Sequence, residues 1–276
     1  MAIHLGGSSR QSLVATSAAL EAELKGVSAD AAALLSNELF AVVNVLGANV
    51  ALRRAITDPA RSAEDKAKLL GDIFLGKLGK NAMDIAVKAV SLRWSAPSDL
   101  LISLEQVAIQ AEASAANSRG ELDQLEDELF IFARALVANQ ELRNALNGNS
   151  DAIAEKQILV NSVLKSSTKS TKALVAQIVN GLWGRNIETA LADLAHGTAN
   201  FRNLVVAHVR TAIELSDQQK SELTKALSKE VGQNVRINIE IDPRVLGGIS
   251  IRFRDELIDG TVISRMAEAS QVLAGK

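Results

Sequence analysis

The sequence predicts a mainly α-helical chain that closes in a small α+β domain. Three observations carry this. Apolar residues recur at helical spacing through residues 1–200, interrupted only by Pro59 and Pro97. Alanine and leucine dominate there and suit tight helix packing. Beyond about residue 203 the apolar period shortens to strict alternation, the pattern of half-buried strands.

The helices are expected at roughly 9–26, 30–47, 49–56, 62–76, 80–94, 98–118, 121–138, 140–147, 151–165, 169–183 and 186–201. Ser28, Ser62 and Ser150-Asp151 stand where new apolar-periodic runs begin. There a side-chain oxygen can accept from a backbone N–H of the first turn. Asp58-Pro59 ends a helix, because proline disfavours helical geometry in the residue before it. Pro97-Ser98-Asp99 opens another, with Leu100, Leu101, Leu104 and Val107 on one face.

An internal repeat runs through this list. Displaced by 90 residues, ELFAVVNVLGANVALRRAI (38–56) falls on ELFIFARALVANQELRNAL (128–146). Over positions 38–74 there are 11 identities in 37, where average composition gives about 3. They include Glu38/Glu128, Phe40/Phe130, Asn49/Asn139, Arg53/Arg143 and Lys66/Lys156. After a one-residue slip Trp94 falls on Trp183, and Leu101 and Leu104 then fall on Leu191 and Leu194. A shared Ala/Leu bias is the bland alternative, but it does not make Glu, Phe, Asn, Arg, Lys and Trp recur in order. Duplication implies two helical bundles in tandem. The helix at 98–118 would close the first and open the second, leaving no flexible linker between them. The expected division is an extra bundle at 1–97, a second bundle at 98–202 and an α+β domain at 203–276.

In that last part Val205, Ala207, Val209, Ile213 and Leu215 alternate as a strand. Ser216 to Gln219 forms a capping box for a helix running to about Val231. Val235, Ile237, Ile239 and Ile241 alternate with Arg236, Asn238 and Glu240, a strand with one wet face. Asp242-Pro243 and Gly247-Gly248 read as a hairpin turn, with Ile249, Ile251 and Phe253 on the return strand. A last helix carries Val262, Met266, Ala269 and Leu273. The order is strand–helix–strand–strand–helix. A right-handed crossover would set the first two strands parallel and the third antiparallel.

Several function classes fit poorly. Net charge is −2, without the basic excess of a nucleic-acid binder. There is no cysteine, hence no disulfide, thiolate metal site or cysteine nucleophile. His4, His196 and His208 include no i,i+3 or i,i+4 pair for a helical metal site. Gly6-Gly7-Ser8-Ser9 lacks the Walker pattern, and Gly247-Gly248 does not open a helix, so neither reads as a phosphate cradle. Glu121, Asp123, Glu126 and Asp127 read as an acidic first helical turn. They, and the Asp255, Glu256 and Asp259 cluster, have no nucleophile or oxyanion donor evident beside them. Aromatic content is 3% with no Tyr, against a small-molecule pocket. No catalytic residue, cofactor or metal is expected. The N-terminus MAIHLGGSSRQ lacks a signal-peptide apolar core, and no uninterrupted apolar run approaches the ~20 residues of a span. The chain is therefore expected to be soluble and to reach a membrane only through a partner.

The segment 203–273 resembles the C-terminal signature of the delta (oligomycin-sensitivity-conferring) subunit family of F-type ATP synthases. Three parts match in order: Ala212 to Gln219, Asp242 to Ile249 and Asp255 to Val262. Within them Asp242, Pro243, Gly247, Gly248, Asp259 and Gly260 carry the family motif. The helical stretch from Glu128 with Lys156 is similar to the family's N-terminal bundle, so residues 98–276 look like a complete member and the first 97 like a second bundle. The resemblance implies a non-catalytic stator subunit, one copy per complex, at the cytoplasmic face of a bacterial membrane. Its six-helix bundle would take N-terminal helices of alpha subunits, and its C-terminal domain the b-type peripheral stalk. The second bundle is the expected receiver of the alpha helices. Groove-lining candidates are Phe130, Phe132, Leu136, Ile178 and Leu182, each of which also fits a plain core position. A helical scaffold of another complex is the alternative reading.

Overall fold

The computed structural model describes residues 5–148, 152–203, 205–231, 235–242, 249–253 and 256–259. Contacts divide the chain into two compact units, residues 1–201 and 202–276.

The first unit is helical: α1 (Gly7–Leu24), α2 (Ala29–Ala48), α3 (Val50–Thr57), α4 (Ala63–Phe74), α5 (Lys80–Ser91), α6 (Pro97–Ser118), α7 (Leu122–Ala138), α8 (Gln140–Asn147), α9 (Ile153–Val163), α10 (Lys169–Asn180) and α11 (Ile187–Asn203). Every helix expected from periodicity is present, with ends shifted by a few residues. The caps are those the residues suggest. Ser28 Oγ accepts from Ala31 N at 3.2 Å and Ser62 Oγ from Asp65 N at 3.1 Å. Pro97 sits in the first turn of α6, where a missing N–H costs nothing. Ser150-Asp151 lies outside the described residues.

Helix follows helix at a displacement of about 90 residues, α1 to α5 on α6 to α10 and α6 on α11. Local bonds recur at matching places. Asn49 Oδ1 accepts from Leu52 N at 3.0 Å, and Asn139 Oδ1 from Leu142 N at 2.9 Å. Arg53 Nη1 donates to Leu46 O at 2.9 Å, and Arg143 Nη1 to Leu136 O at 3.1 Å. Glu38 accepts from Gly79 N at 2.8 Å ahead of α5, and Glu128 from Thr168 N at 2.9 Å ahead of α10.

Two apolar cores fill this unit, and α2 and α6 run through both. Val42, Val43 and Leu46 of α2 join Leu100, Leu101 and Leu104 of α6 in one core. Leu35, Leu39 and Phe40 join Val107, Ala108 and Ala111 in the other, with residues from α7, α10 and α11. The pairing makes α2 and α6 antiparallel; Ser36 Oγ donates to Ala108 O at 2.8 Å.

α2 is buried on two faces. Leu35, Leu39, Val42 and Leu46 form one, and Ser36, Phe40 and Val43 the other. Along the second face, Asn44 Nδ2 donates to Gln177 Oε1 and Gln177 Nε2 donates to Asn37 Oδ1, both at 3.3 Å, joining α2 to α10. Past the end of α10, the Trp183 ring lies over Gly47, where an added Cβ would come within 2.5 Å of the indole. Trp183 has φ +51°, the one positive value at a non-glycine position among the described residues. That backbone costs energy, which packing of the ring offsets. By length and composition α2 is apolar enough to cross a membrane. Burial from two sides is the packing reason for that composition.

The second unit contains β1 (Val205–Thr211), α12 (Asp217–Val231), β2 (Val235–Ile241), β3 (Ile249–Phe253) and β4 (Glu256–Asp259). The sheet order is β2-β1-β3-β4. β1 and β2 are parallel, Val205 facing Val235 through Thr211 facing Ile241. β3 is antiparallel to β1, with Val209 opposite Ile251. The expected strand directions hold. The expected hairpin pairing does not: β1 lies between β2 and β3, so these two strands are not neighbours, and the turn expected at Pro243 to Gly248 lies outside the described residues. The physical reason is that β1 is central and pairs along both edges, burying Val209 with Leu227, Val235 and Ile251. β4, read from the sequence only as part of a carboxylate cluster, pairs with β3, Asp259 opposite Ser250. Ile213 lies past the end of β1 and is exposed, while Leu215 is buried. The capping box is formed: Ser216 N donates to Gln219 Oε1 at 2.9 Å and Gln219 N to Ser216 Oγ at 3.3 Å. The expected last helix lies outside the described residues.

Gly47→Ala separates two opposing effects. Helix propensity favours alanine by about 1 kcal/mol, whereas crowding a packed ring costs about 1–3 kcal/mol. Urea denaturation is expected to show net destabilisation, reversed in sign on a Trp183→Leu background. Equal effects on both backgrounds would mean that the ring does not rest on Gly47.

Candidate docking surfaces

Helix-taking surfaces need exposed apolar strips on a stiff support. Of the groove candidates, Phe132, Leu136 and Ile178 are core residues at 2% exposure or less, and Leu182 is partly buried against the same core. Phe130 is the exception, 63% exposed on the outer side of α7. Ile131 and Val137 are exposed beside it. The sequence pattern alone did not separate Phe130 from Phe132.

Polar clusters tie the helices of this unit together. Arg185 Nη2 donates to Glu105 Oε1 at 2.7 Å, and its Nη1 donates to Asp193 Oδ2 at 2.8 Å, joining α6 to α11. Burial works against the guanidinium's charge, but Glu105 and Asp193 more than offset it and raise its pKa. Arg119, at the end of α6, meets Asp30 at 3.2 Å and Ser170 at 3.2 Å, linking α2 and α10. Next to it, burial pushes the Glu112 carboxyl above its ordinary range, against the Ser170 hydrogen bond and the Arg119 charge. For Glu128 burial likewise pushes upward. Hydrogen bonds from Thr171, Thr168 and Gln124 outweigh it and hold the carboxyl below its ordinary value. Glu128 thereby fastens the start of α10 to α7.

The sequence-selected residues are scattered. His196 is on α11, and His208 sits in β1 between Asn238 and Arg252 in register. Asp242 N donates to Thr211 O at 3.0 Å, closing the end of β2 against β1. Asp259 ends β4. His4, Pro243, Gly247, Gly248 and Gly260 lie outside the described residues. The Trp183 seat was missed. The signal for it was a glycine, Gly47, within a helix at the position matching Val137.

The family described as "ATP synthase delta (OSCP) subunit" matches residues 110–273. The chain is 39% identical over 272 residues to the ATP synthase subunit delta of Streptomyces griseus, covering 98% of this chain and 100% of that one. It is 36% identical to that of Salinispora arenicola, covering 96% and 97%. To that of Thermobifida fusca it is 37% identical, covering 88% and 91%.

The chain belongs to the ATP synthase delta (OSCP) family. It is a non-catalytic stator component of the F-type ATP synthase. The relatives match along nearly their whole length, so the helices ahead of residue 110 are part of the delta chain in these organisms as well. A chain of the Toxoplasma gondii mitochondrial ATP synthase hexamer covers 60% of this one at 19% identity with a TM-score of 0.25, too low to bear on the fold.

For a delta-family chain the polar fastenings have a pH signature. The Glu128 carboxyl is held below its ordinary value near 4.5. Its contribution is therefore present above that pH and lost as pH falls through the lower folded value. Glu128→Ala is expected to lose about 1 kcal/mol at neutral pH. The loss should shrink as pH is lowered from about 6 toward 3. Denaturation series at several pH values measure this; a pH-independent loss would contradict the assignment.

Proposed function

We propose that this chain is the tie between the alpha/beta head and the b-type stalk of a bacterial ATP synthase, on the cytoplasmic face of the membrane. The bundle at 98–202 takes N-terminal helices of alpha subunits. The domain at 203–276 grips the b-type subunit, with Asp242, Pro243, Gly247, Gly248, Asp259 and Gly260 shaping its connections. The bundle at 1–97 is a duplicate that extends contact with head or stalk. One copy serves one complex, and rotor torque drives ATP synthesis because the head is held still.

The observation that carries the reading is end-to-end similarity to delta subunits through both compact units. The duplication is supported by the helix-for-helix displacement and by the paired Asn, Arg and Glu bonds. Stiffness is supported by α6, which carries core residues of both clusters without a break.

Affinity purification of the tagged full chain from detergent-solubilised membranes is expected to recover alpha, beta and b-type subunits. A synthetic peptide of the alpha N-terminus is expected to protect α6–α11 amides from hydrogen exchange in the purified chain. Recovery of none of the three subunits would overturn the stator role. Protection confined to α1–α5 would move the alpha site to the first bundle.

A further inference from the structure

A cavity of about 690 Å³ lies where α1 and α6 begin and where α3 and α5 end. Arg54 of α3 and Arg93, just past α5, line it together with Trp94, Ser8 and Ser95. Neither guanidinium has a hydrogen bond or ion pair to any of the described residues. The carboxylate in the lining, Asp58, accepts from Ala60 N at 2.9 Å. Ser8 Oγ and Ser95 Oγ share one hydrogen at 2.7 Å, which leaves the other hydroxyl hydrogen for a ligand. Gly6, at the N-cap of α1, brings no side chain to the first-turn amides.

The stretch 90 residues further on resolves the same kind of place internally. There Glu188, in the first turn of α11, meets Arg143 Nε at 3.4 Å and accepts from Asn147 Nδ2 at 3.2 Å. At that displacement Arg143 falls on Arg53, Asn147 on Thr57 and Glu188 on Ser98. Arg53 has only backbone carbonyls as partners, those of Leu46 and Gly47. The carboxylate is thus missing from the earlier stretch, and cations are added to it. Arg54 and Arg93 stand where the later stretch has Asn144 and, after the slip, Leu182. The dipole of α3 favours a cation such as Arg54 in its last turn. It leaves the missing carboxylate unexplained.

We propose that this cavity binds a phosphate group, which brings the negative charge that Glu188 brings to the matching place. The site stands apart from the stator role. Two guanidiniums, a free hydroxyl hydrogen and the amides of α1 offer more donors than the two oxygens of a carboxylate take. A phosphate presents at least three acceptor oxygens and up to two charges, and guanidinium forks match it well. The volume is far above the roughly 30 Å³ of one water, so the cavity also admits the organic part of a phosphate ester. Asp58 then suits an ester whose remainder carries a hydroxyl. Free phosphate and a nucleotide are the two sources of this one chemistry.

The test titrates the purified full chain with inorganic phosphate and, separately, with ADP at constant ionic strength. Calorimetry reads the heat, and in a Trp183→Phe background the fluorescence of Trp94 reads the cavity itself. Saturable binding is expected with a Kd of about 1 mM or tighter. Arg54→Gln and Arg93→Gln are each expected to weaken it about tenfold, with unchanged helical circular dichroism. Ser98→Glu places a carboxylate where Glu188 stands in the later stretch. It is expected to weaken binding and to raise the thermal midpoint. Saturation by both ligands, with phosphate displacing ADP, supports the site as one for a phosphate ester; saturation by phosphate alone supports the free ion. Absence of saturation by either at about 10 mM would overturn the proposal. So would ADP binding that phosphate does not displace, or binding that all three variants leave unchanged.

Discussion

The helical unit depends on burying α2 from two sides. One face, through Leu35, Leu39, Val42 and Leu46, completes cores along the antiparallel α6. The other, through Ser36, Phe40 and Gly47, is covered by α6, α10 and the Trp183 ring. A helix packed in this way cannot shift on one side without opening the other, because protein interiors are close-packed and adjust poorly. The two ends of the helical unit are thus joined by core, not by a surface contact. The strained backbone at Trp183 is a local expense accepted where the ring makes that join.

This construction suits a part that resists torque. α6 spans both cores as one 22-residue helix, so no hinge separates the two cores. The charged clusters around Arg185 and Arg119 sit where helices distant in sequence meet. Partly buried ion pairs of this kind add little net stability after desolvation. Their effect is to fix which helix faces which, since a slipped register would leave a buried charge without its partner. A stator subunit needs that fixed geometry more than it needs additional stability.

Much of this was legible in residues read one helix at a time. Helical period, proline breaks, serine caps and the Ser216–Gln219 box are local, and each formed as expected. The 90-residue recurrence of helices was legible because paired Glu, Asn and Arg residues make the same local bonds twice. What was not legible depends on neighbours distant in sequence. Alternation in β2 and β3 reveals two strands but not that β1 separates them, so it suggests a hairpin pairing that the sheet order does not contain. Phe130 and Phe132 both fit an apolar strip; only the packing of α7 against α6 and α10 sends one inward and leaves the other out. Gly47 reads as a weak point in a helix until the ring above it is seen.

Residues 1–201 form one compact body that carries its own reporters, Trp94 and Trp183. Trp94 is buried in the first core with its Nε1 donating to Ala89 O at 2.8 Å, and Trp183 lies over α2. The direct measurement is equilibrium urea unfolding of two single-tryptophan variants, Trp94→Phe and Trp183→Phe, each followed by its remaining indole and by helical circular dichroism. The account predicts that, within each variant, the indole transition coincides with the loss of helix in this unit, a single cooperative step. An indole transition that precedes the loss of helix, with one core melting while the other stands, would contradict it.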